Sequence, residues 1–344
     1  MPEPLHIADQ GFFYVGVKRS PQPYGTAIAG QMYVQYQIPV DRRHPYPLVM
    51  VHGGGGQGLD YLGTPDGREG WATLFLREGY AVYVVDRPGF GRSPYHPDLL
   101  GPSSPPPTFN GLVAGFAAPA RQMAYPQARL HTQWPGTGVE GDPALDQFLA
   151  WQEPILDPVR MQEGMQQAGV ELLDRIGPSV LMTHSMGGPF GWLVADRRRE
   201  LVKGILAIEP AGPAFAERPP LSWGLTSIRL SFDPPASDPS QIQKVIRKAP
   251  GPDLADCQVQ AEPARKLPNL AGIPTVVMRG EASWHAPIAW GVVEFLAQAG
   301  VDVEEMRLED HGIHGNGHLM MLEKNSAEIV PVLSDWIRRR VEND

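Results

Sequence analysis

The stretch Ser179-Val-Leu-Met-Thr-His-Ser185-Met-Gly-Gly-Pro-Phe-Gly-Trp192 decides the fold, because its character changes at a single residue. The residues before Ser185 form a short apolar run typical of a buried strand, and Phe190, Leu193 and Val194 follow at helical spacing. A strand that turns directly into a helix holds the serine at the apex, with the first helical N–H groups beside its hydroxyl. The pattern predicts a nucleophile elbow.

The match to the general elbow pattern, Gly-x-Ser-x-Gly, is partial. Thr183 stands in place of the first glycine, at a position that asks for a small side chain. A serine at such a turn can also serve only as a helix cap. Ser185 by itself therefore leaves nucleophile and cap equally open, and the rest of the chain has to decide between them.

Length, composition and charge narrow the class of protein. The 344 residues, 42% of them hydrophobic, predict one α/β domain with a large core. A net charge of −9 argues against nucleic acid or a membrane as partner, so we expect a small-molecule substrate. Residues 1–10 lack the build of a signal peptide, which predicts a cytoplasmic protein, although a secreted form with its signal removed would look the same.

Two segments rich in proline interrupt the regular pattern. We expect residues 94–151 and 213–268 to be lid or cap insertions in the single domain. Aromatic residues in them would either line a substrate pocket or form the core of the cap; they are Phe109, Phe116, Tyr125, Trp134, Trp223 and Phe232.

The elements before the elbow predict a parallel sheet. Residues 48–52 form a buried strand that ends in a glycine turn, residues 71–78 a helix, residues 81–85 a second buried strand, and residues 157–176 a long amphipathic helix. This order places Gly53 and Ser185 at the same edge of the sheet, where open α/β sheets bind ligands. The glycine turn fails the Walker pattern and meets the dinucleotide pattern only loosely, so a nucleotide site is a minor alternative.

The edges of the sheet and the chain after the elbow complete the predicted fold. Residues 12–17 and 28–38 are expected to pair antiparallel at one edge, whereas residues 59–70 are expected to form a loop. Further strands are predicted at 202–208, 274–278 and 301–308, with helices at 287–298 and 329–340.

A glycine-rich loop after the last predicted strand carries the candidate base. His318 is preferred because this loop can bring its imidazole down onto the elbow. His314 is the alternative base, and His311, His314 and His318 together could be a metal cluster. The glycines between them argue for a loop, so we expect no metal and no organic cofactor.

Four segments, in chain order, resemble the α/β-hydrolase superfamily: Val51-His-Gly-Gly54, Asp86-Arg-Pro-Gly-Phe-Gly-Arg-Ser93, Thr183-His-Ser185-Met-Gly-Gly188 and Gly317-His318. The resemblance covers nearly the whole chain outside the two insertions. It implies an eight-stranded, mostly parallel sheet flanked by helices, with nucleophile, acid and histidine in that order along the chain.

Three further stretches are similar to a small branch of bacterial serine esterases: Thr64-Pro-Asp-Gly-Arg-Glu-Gly-Trp71, Leu206-Ala-Ile-Glu209-Pro210 and Gly312-Ile-His-Gly-Asn-Gly-His-Leu-Met-Met321. That branch carries the triad glutamate after the sixth strand, which implies Glu209. Most relatives carry the acid after the seventh strand, where this chain has Ser283 and an out-of-register Glu281. Glu281 and Asp310 therefore stay open as alternative acids.

Together these features predict a serine carboxylesterase that works through an acyl-enzyme. Ser185 is the expected nucleophile, His318 the base and Glu209 the acid, with the N–H groups of Met186 and Gly54 as oxyanion hole, Gly55 being possible. A lactonase, thioesterase, acyltransferase or cofactor-free haloperoxidase would use the same triad, and a ligand-binding member of the fold would have lost catalysis. A homodimer is typical of the resembled branch.

Overall fold

The computed structural model describes residues 3–123 and 125–343. The described residues form twelve strands: β1 (Ile7–Val15), β2 (Lys18–Gln22), β3 (Gly25–Ala29), β4 (Met32–Pro39), β5 (Leu48–Val51), β6 (Val82–Asp86), β7 (Ser179–His184), β8 (Val202–Ile208), β9 (Lys244–Arg247), β10 (Cys257–Gln260), β11 (Thr275–Arg279) and β12 (Val303–Arg307). Eight of these strands form the main sheet, in the order β1-β4-β6-β5-β7-β8-β11-β12. Strand β1 and strand β6 each pair with β4 antiparallel, and the other neighbouring strands are parallel. This confirms the predicted eight-stranded, mostly parallel sheet.

Helices cover both faces of the sheet. The α-helices are α1 (Leu59–Leu62), α2 (Trp71–Arg77), α3 (Pro97–Leu100), α4 (Phe109–Leu112), α5 (Pro143–Ala150), α6 (Pro158–Ile176), α7 (Gly188–Ala195), α8 (Ala289–Gln298) and α9 (Ser326–Ile337). Helices α2 and α9 pack on one face, and α6, α7 and α8 on the other.

Strand β7 shows why these residues make a two-sided sheet. All six of its residues are buried. Val180 and Met182 point into the core under α2 and α9, whereas Leu181 points to the opposite face. Alternate residues of a strand face opposite sides, so a strand between two helical layers needs apolar residues on both. The unbroken apolar run before Ser185 reflects this burial.

Helix α6 leads the chain into β7. The Asp157 side chain accepts a hydrogen bond from the Arg160 N–H, Pro158 occupies the first turn, and Gly177 follows the last turn with a φ of 85°. An aspartate cap, an early proline and a terminal glycine are the usual signals of helix ends. They confirm the helix predicted at residues 157–176.

The predictions for residues 28–38 and 59–70 were wrong in detail. The predicted strand 28–38 is two elements, because β3 pairs with β2 in a separate hairpin and only β4 joins the sheet beside β1. The predicted loop 59–70 begins with the short helix α1. A four-residue helix is too short for a periodic apolar pattern, so nothing in the sequence marked it.

The two segments predicted as insertions lie between main-sheet elements. Residues 94–151 run between β6 and α6 and contain α3, α4 and α5. Residues 213–268 run between β8 and β11 and contain the β9–β10 hairpin. Each segment begins after a strand that runs in the same direction as β7, so both leave the sheet at the edge where β7 ends, which is also where the candidate site lies.

Candidate active site

Ser185 lies at the tight turn between β7 and α7. Its φ of 50° is in the left-handed region, which costs a non-glycine residue about 1–2 kcal/mol. Gly187 makes this turn possible, because a Cβ at that position would lie 2.4 Å from the carbonyl oxygen of His52. The elbow is therefore wedged against the end of β5, and its serine stands at the sheet edge as the sequence indicated.

A cavity of about 310 Å³ opens beside Ser185. Four other residues of the predicted site share its lining: His318, Gly54, Gly55 and Met186. Most of the remaining wall is apolar, and it is lined by Pro107, Leu112, Phe116, Phe148, Ile155, Pro219, Trp284 and Leu319. Among the aromatic residues that the sequence singled out in the two insertions, Phe116 is the one that lines this cavity.

The His318 imidazole is enclosed by other rings. The ring centroid of Trp284 lies 4.5 Å away, and that of His184 lies 4.6 Å away. His184 also donates a hydrogen bond of 2.9 Å from Nε2 to the His318 carbonyl oxygen. Burial lowers the pKa of His318 below its ordinary value, so the ring is neutral near pH 7.

Glu209 stands directly after β8 and contacts His318. Its Oε2 lies 2.5 Å from His318 Nδ1 and accepts a hydrogen bond of 2.6 Å from Ser283 Oγ. Its Oε1 accepts a hydrogen bond of 2.8 Å from the Gly280 N–H. The carboxyl is fully buried, and burial raises its pKa to about 7 against the opposing effects of His285 and Ser283. Glu209 also has a positive φ, 42°, as Ser185 does after the neighbouring strand β7.

The alternative acids Glu281 and Asp310 do not contact His318, and the alternative base His314 does not line the cavity. Glu281 accepts a hydrogen bond from the Gly315 N–H at 2.7 Å and lies 3.2 Å from His314 Nδ1, whereas Asp310 pairs with Arg307. The His314 side chain is 62% exposed and is not part of the cavity lining. Among the three candidate carboxylates, Glu209 is the one in contact with His318.

The glycine turn after β5 is held by its first carbonyl group. His52 donates from Nδ1 to the Gly53 oxygen at 2.9 Å, and the buried Arg87 donates to the same oxygen from Nη2. In a trans peptide, the carbonyl of Gly53 and the N–H of Gly54 point in opposite directions. Anchoring the carbonyl on the inner side therefore directs the Gly54 N–H outward, toward the cavity that Gly54 lines.

The loop that carries His318 is fixed by a buried carboxylate. Glu323 accepts hydrogen bonds from the Gly317 N–H at 2.9 Å and from Asn316 Nδ2 at 2.8 Å. His131, from the first insertion, contacts the same carboxylate at 2.7 Å. This network joins the insertion to the His318 loop, so the imidazole position depends on both.

One contact of the proposed triad is open in this structure. Among the described residues, none accepts a hydrogen bond from the Ser185 hydroxyl, and this includes His318. Such bonds are often long in unliganded enzymes and tighten when substrate binds. The structure thus brings Ser185 and His318 to one cavity, with the Glu209–His318 contact already made.

Several residues of the site were missed at the level of sequence. His184, Arg87, Ser283 and Trp284 had no assigned role, although Ser283 had been noted at the usual place of the acid. Ser283 and Trp284 belong to one short stretch after β11. Most members of the family have the acid there, so the serine at that position was the available signal that this stretch has another role. Nothing local marked Arg87, because its partner Gly53 is 34 residues away.

Comparison with known proteins places the chain in a family. The family model of the alpha/beta hydrolase fold matches residues 46–279. The probable secreted lipase phiG of Fungal sp. (strain ATCC 74256) is 41% identical over 341 residues, which cover 96% of this chain and 89% of the relative. A solved structure of a novel bacterial esterase aligns with a TM-score of 0.64 at 22% identity, covering 99% of this chain and 98% of that one. The chain belongs to the alpha/beta hydrolase family, which confirms the resemblance seen in the sequence.

Two further observations concern the part of the chain that the structure describes. No helix within residues 3–123 and 125–343 is long and apolar enough to span a membrane. In the same residues, no three histidine, cysteine or acidic side chains converge as metal ligands would, and His311 and His314 are exposed while His318 is buried.

Proposed function

We propose that this protein is a serine esterase that hydrolyses carboxylic esters through an acyl-enzyme on Ser185. The observation that carries the proposal is the 2.5 Å contact between Glu209 Oε2 and His318 Nδ1, beside a cavity that Ser185 also lines. A buried carboxylate on the far nitrogen of a neutral imidazole is the arrangement that prepares a base for a serine nucleophile. The fungal relative named a probable lipase supports ester substrates.

The proposed reaction begins with attack of Ser185 Oγ on the ester carbonyl carbon. The hydroxyl proton moves to His318 Nε2, and Glu209 stabilises the imidazolium that forms. The negative charge on the carbonyl oxygen is met by the N–H groups of Gly54 and Met186. Collapse of this intermediate breaks the ester C–O bond, and His318 returns the proton to the leaving alcohol.

Hydrolysis of the acyl-enzyme repeats these steps with water as nucleophile. His318 accepts a proton from water, the water oxygen bonds to the acyl carbon, and Ser185 leaves with that proton as the acid is released. All steps use groups of this chain, so no metal or organic cofactor is needed. A thioester or a lactone would pass through the same intermediates, which is why the test includes both.

The test compares four proteins with p-nitrophenyl acetate, p-nitrophenyl butyrate, a butyryl thioester and a lactone. Ser185→Ala is expected to abolish turnover, and Glu209→Gln to lower kcat on the order of 10³–10⁴-fold. Glu281→Gln is the matched control, because Glu281 also contacts a histidine but lies away from His318. Its kcat should stay within about twofold of wild type, because a glutamine oxygen can still accept the bond from the Gly315 N–H and the side chain does not contact His318.

Labelling with an organophosphate gives an independent readout. The adduct should map to Ser185 in the wild type and be absent from Ser185→Ala. If the wild type turns over none of these substrates, the proposal fails and a ligand-binding role replaces it. If Glu209→Gln behaves like Glu281→Gln, the carboxylate assignment is wrong while the serine mechanism stands.

Location and assembly stay predictions. The fungal relative is named as secreted, and this favours the secreted alternative over the cytoplasmic location expected from residues 1–10. The homodimer is likewise a prediction, and sedimentation of the purified protein would test it.

A further inference from the structure

Asp60 is an acidic residue in the wall of the substrate cavity, and the proposed mechanism gives it no role. It belongs to the short helix α1 and is 3% exposed. Gly56, Gln152 and Ile155 line the cavity beside it. Carboxylates are rarely so buried without a partner, so the contacts of its two oxygens matter.

The two oxygens of Asp60 have different surroundings. Oδ1 accepts a hydrogen bond of 3.0 Å from Trp151 Nε1. Oδ2 accepts no hydrogen bond from any residue within 3–123 and 125–343. It lies against Gly56, where a Cβ would come within 2.1 Å of it. Asp60 lines the cavity and Oδ2 has no donor among the described residues, so this oxygen can accept a hydrogen bond from a ligand.

The nearest cation does not neutralise Asp60 by direct contact. The Arg87 guanidinium is directed to the Gly53 oxygen and to Met161 Sδ, and no basic side chain among the described residues forms a salt bridge with Asp60. Burial raises the pKa of Asp60 to about 7, although Trp151 and Arg87 act in the opposite direction. A donor placed at Oδ2 would favour the ionised carboxylate and bind to it more strongly than to a neutral group.

We propose, on the basis of the esterase function above, that Asp60 determines specificity by accepting a hydrogen bond at Oδ2 from a hydroxyl or ammonium group of the substrate. The preferred substrates are then esters that carry such a donor in addition to the ester group. A plain alkyl ester leaves the Asp60 oxygen unpaired in a closed cavity. Since the carboxylate oxygen then lacks the hydrogen bond that a donor-bearing ester supplies, the plain ester is the poorer substrate.

The rest of the cavity wall indicates which chemical groups the substrate carries besides the hydrogen-bond donor. Leu112, Phe116, Phe148 and Ile155 offer apolar surface to hydrocarbon. Gln152 adds one amide to the lining. The substrate class is therefore an ester with an apolar body and one hydrogen-bond donor, and it excludes monoesters of dicarboxylic acids, whose free carboxylate would be repelled by ionised Asp60.

The test uses matched esters that differ only in the donor. For the acyl side, p-nitrophenyl 3-hydroxybutyrate is compared with p-nitrophenyl butyrate. For the alcohol side, 2-hydroxyethyl butyrate is compared with ethyl butyrate, and protonated 2-dimethylaminoethyl butyrate with 3-methylbutyl butyrate, so that a neutral hydroxyl and an ammonium group are tested separately. In the wild type, at least one donor-bearing ester should have a kcat/KM ten- to a hundredfold above its plain partner, roughly the range of a hydrogen bond to a charged group.

Asp60→Asn is the variant that tests the residue. The amide oxygen can keep the bond from Trp151, and the amide N–H₂ then replaces the acceptor at the cavity wall. The kcat/KM ratio of donor-bearing to plain ester should fall by about tenfold or more. An unchanged ratio overturns the inference, including the case in which Asp60→Asn slows both esters equally, because that result indicates a structural role.

The outcomes separate this inference from the function on which it rests. If the wild type hydrolyses plain and donor-bearing esters equally well, the role of Asp60 is overturned and the esterase stands. If the wild type hydrolyses none of them, both are overturned.

Discussion

Ser283 donates a hydrogen bond of 2.6 Å to Glu209 Oε2, the same oxygen that contacts His318. Ser283 follows β11, the seventh strand of the main sheet, and Glu209 follows β8, the sixth. Because β8 and β11 are parallel neighbours, their carboxyl ends lie side by side. The serine after the seventh strand therefore holds the carboxylate that follows the sixth.

Removal of the Ser283 hydroxyl should shift the pH dependence of catalysis. The hydrogen bond from Ser283 lowers the pKa of Glu209, so Ser283→Ala raises it. The proposed mechanism needs the Glu209 carboxylate ionised. Because its pKa is higher in the variant, kcat/KM begins to fall at a higher pH as the solution is acidified. We expect about a tenfold loss at pH 6 and a loss of about twofold or less at pH 8.5, for a pKa change of about one unit.

A pH–rate profile with a butyrate ester checks this prediction. A role of Ser283 in structure alone would lower kcat/KM by the same factor at every pH. The 3.0 Å bond from the His285 N–H to Ser283 Oγ is lost as well, so the melting temperature of the variant should be recorded beside its rate.

Glu209 should lower the stability of the protein at neutral and alkaline pH. Burial raises its pKa from 4.5 to about 7, so the folded state keeps a proton that the unfolded state releases in this interval. The stabilising contribution is complete below pH 4.5 and is lost as the pH rises through 7. The Glu209→Gln variant does not titrate here, and its free energy of unfolding relative to wild type should increase from pH 4.5 to 7 and then level off.

Urea unfolding of both proteins at pH 5, 6, 7 and 8 measures this difference. Titrating groups that do not interact with Glu209 are common to the two proteins and cancel in the comparison. A difference that is the same at all four pH values would contradict the burial cost assigned to Glu209.

The strained backbone at Ser185 should be visible in stability. Its φ of 50° suits glycine and strains other residues, so Ser185→Gly is expected to be about 1 kcal/mol more stable than Ser185→Ala. Ser179 supplies the control, because it lies in strand β7 and has no positive φ. There the order should reverse, with Ser179→Gly less stable than Ser179→Ala.

Chemical unfolding of the four variants measures the difference in free energy of unfolding between glycine and alanine at each of the two positions. Neither Ser185 variant retains the proposed nucleophile, so the comparison concerns the fold alone. Equal stability of the two Ser185 variants would show that the elbow holds no strain.

By itself, the sequence determined the sheet and the place of the elbow. The buried strands are continuous apolar runs, and the turns at their ends are marked by glycine, so both are properties of a few consecutive residues. The elbow at Ser185 and the loop of His318 were readable for the same reason. The hairpin of β2 and β3 was not, because its residues are largely exposed and carry no apolar pattern.

The tertiary structure decided which distant groups meet. Glu209, Glu281 and Asp310 all stand near strand ends, and only the order of the strands brings Glu209 against His318, 109 residues along the chain. Asp60 lines the cavity because it belongs to α1, a helix too short to show a periodic apolar pattern in the sequence. Local chemistry sets each strand and turn, whereas contacts between distant residues depend on how the whole sheet and its covering segments pack, and no short stretch of sequence contains that information.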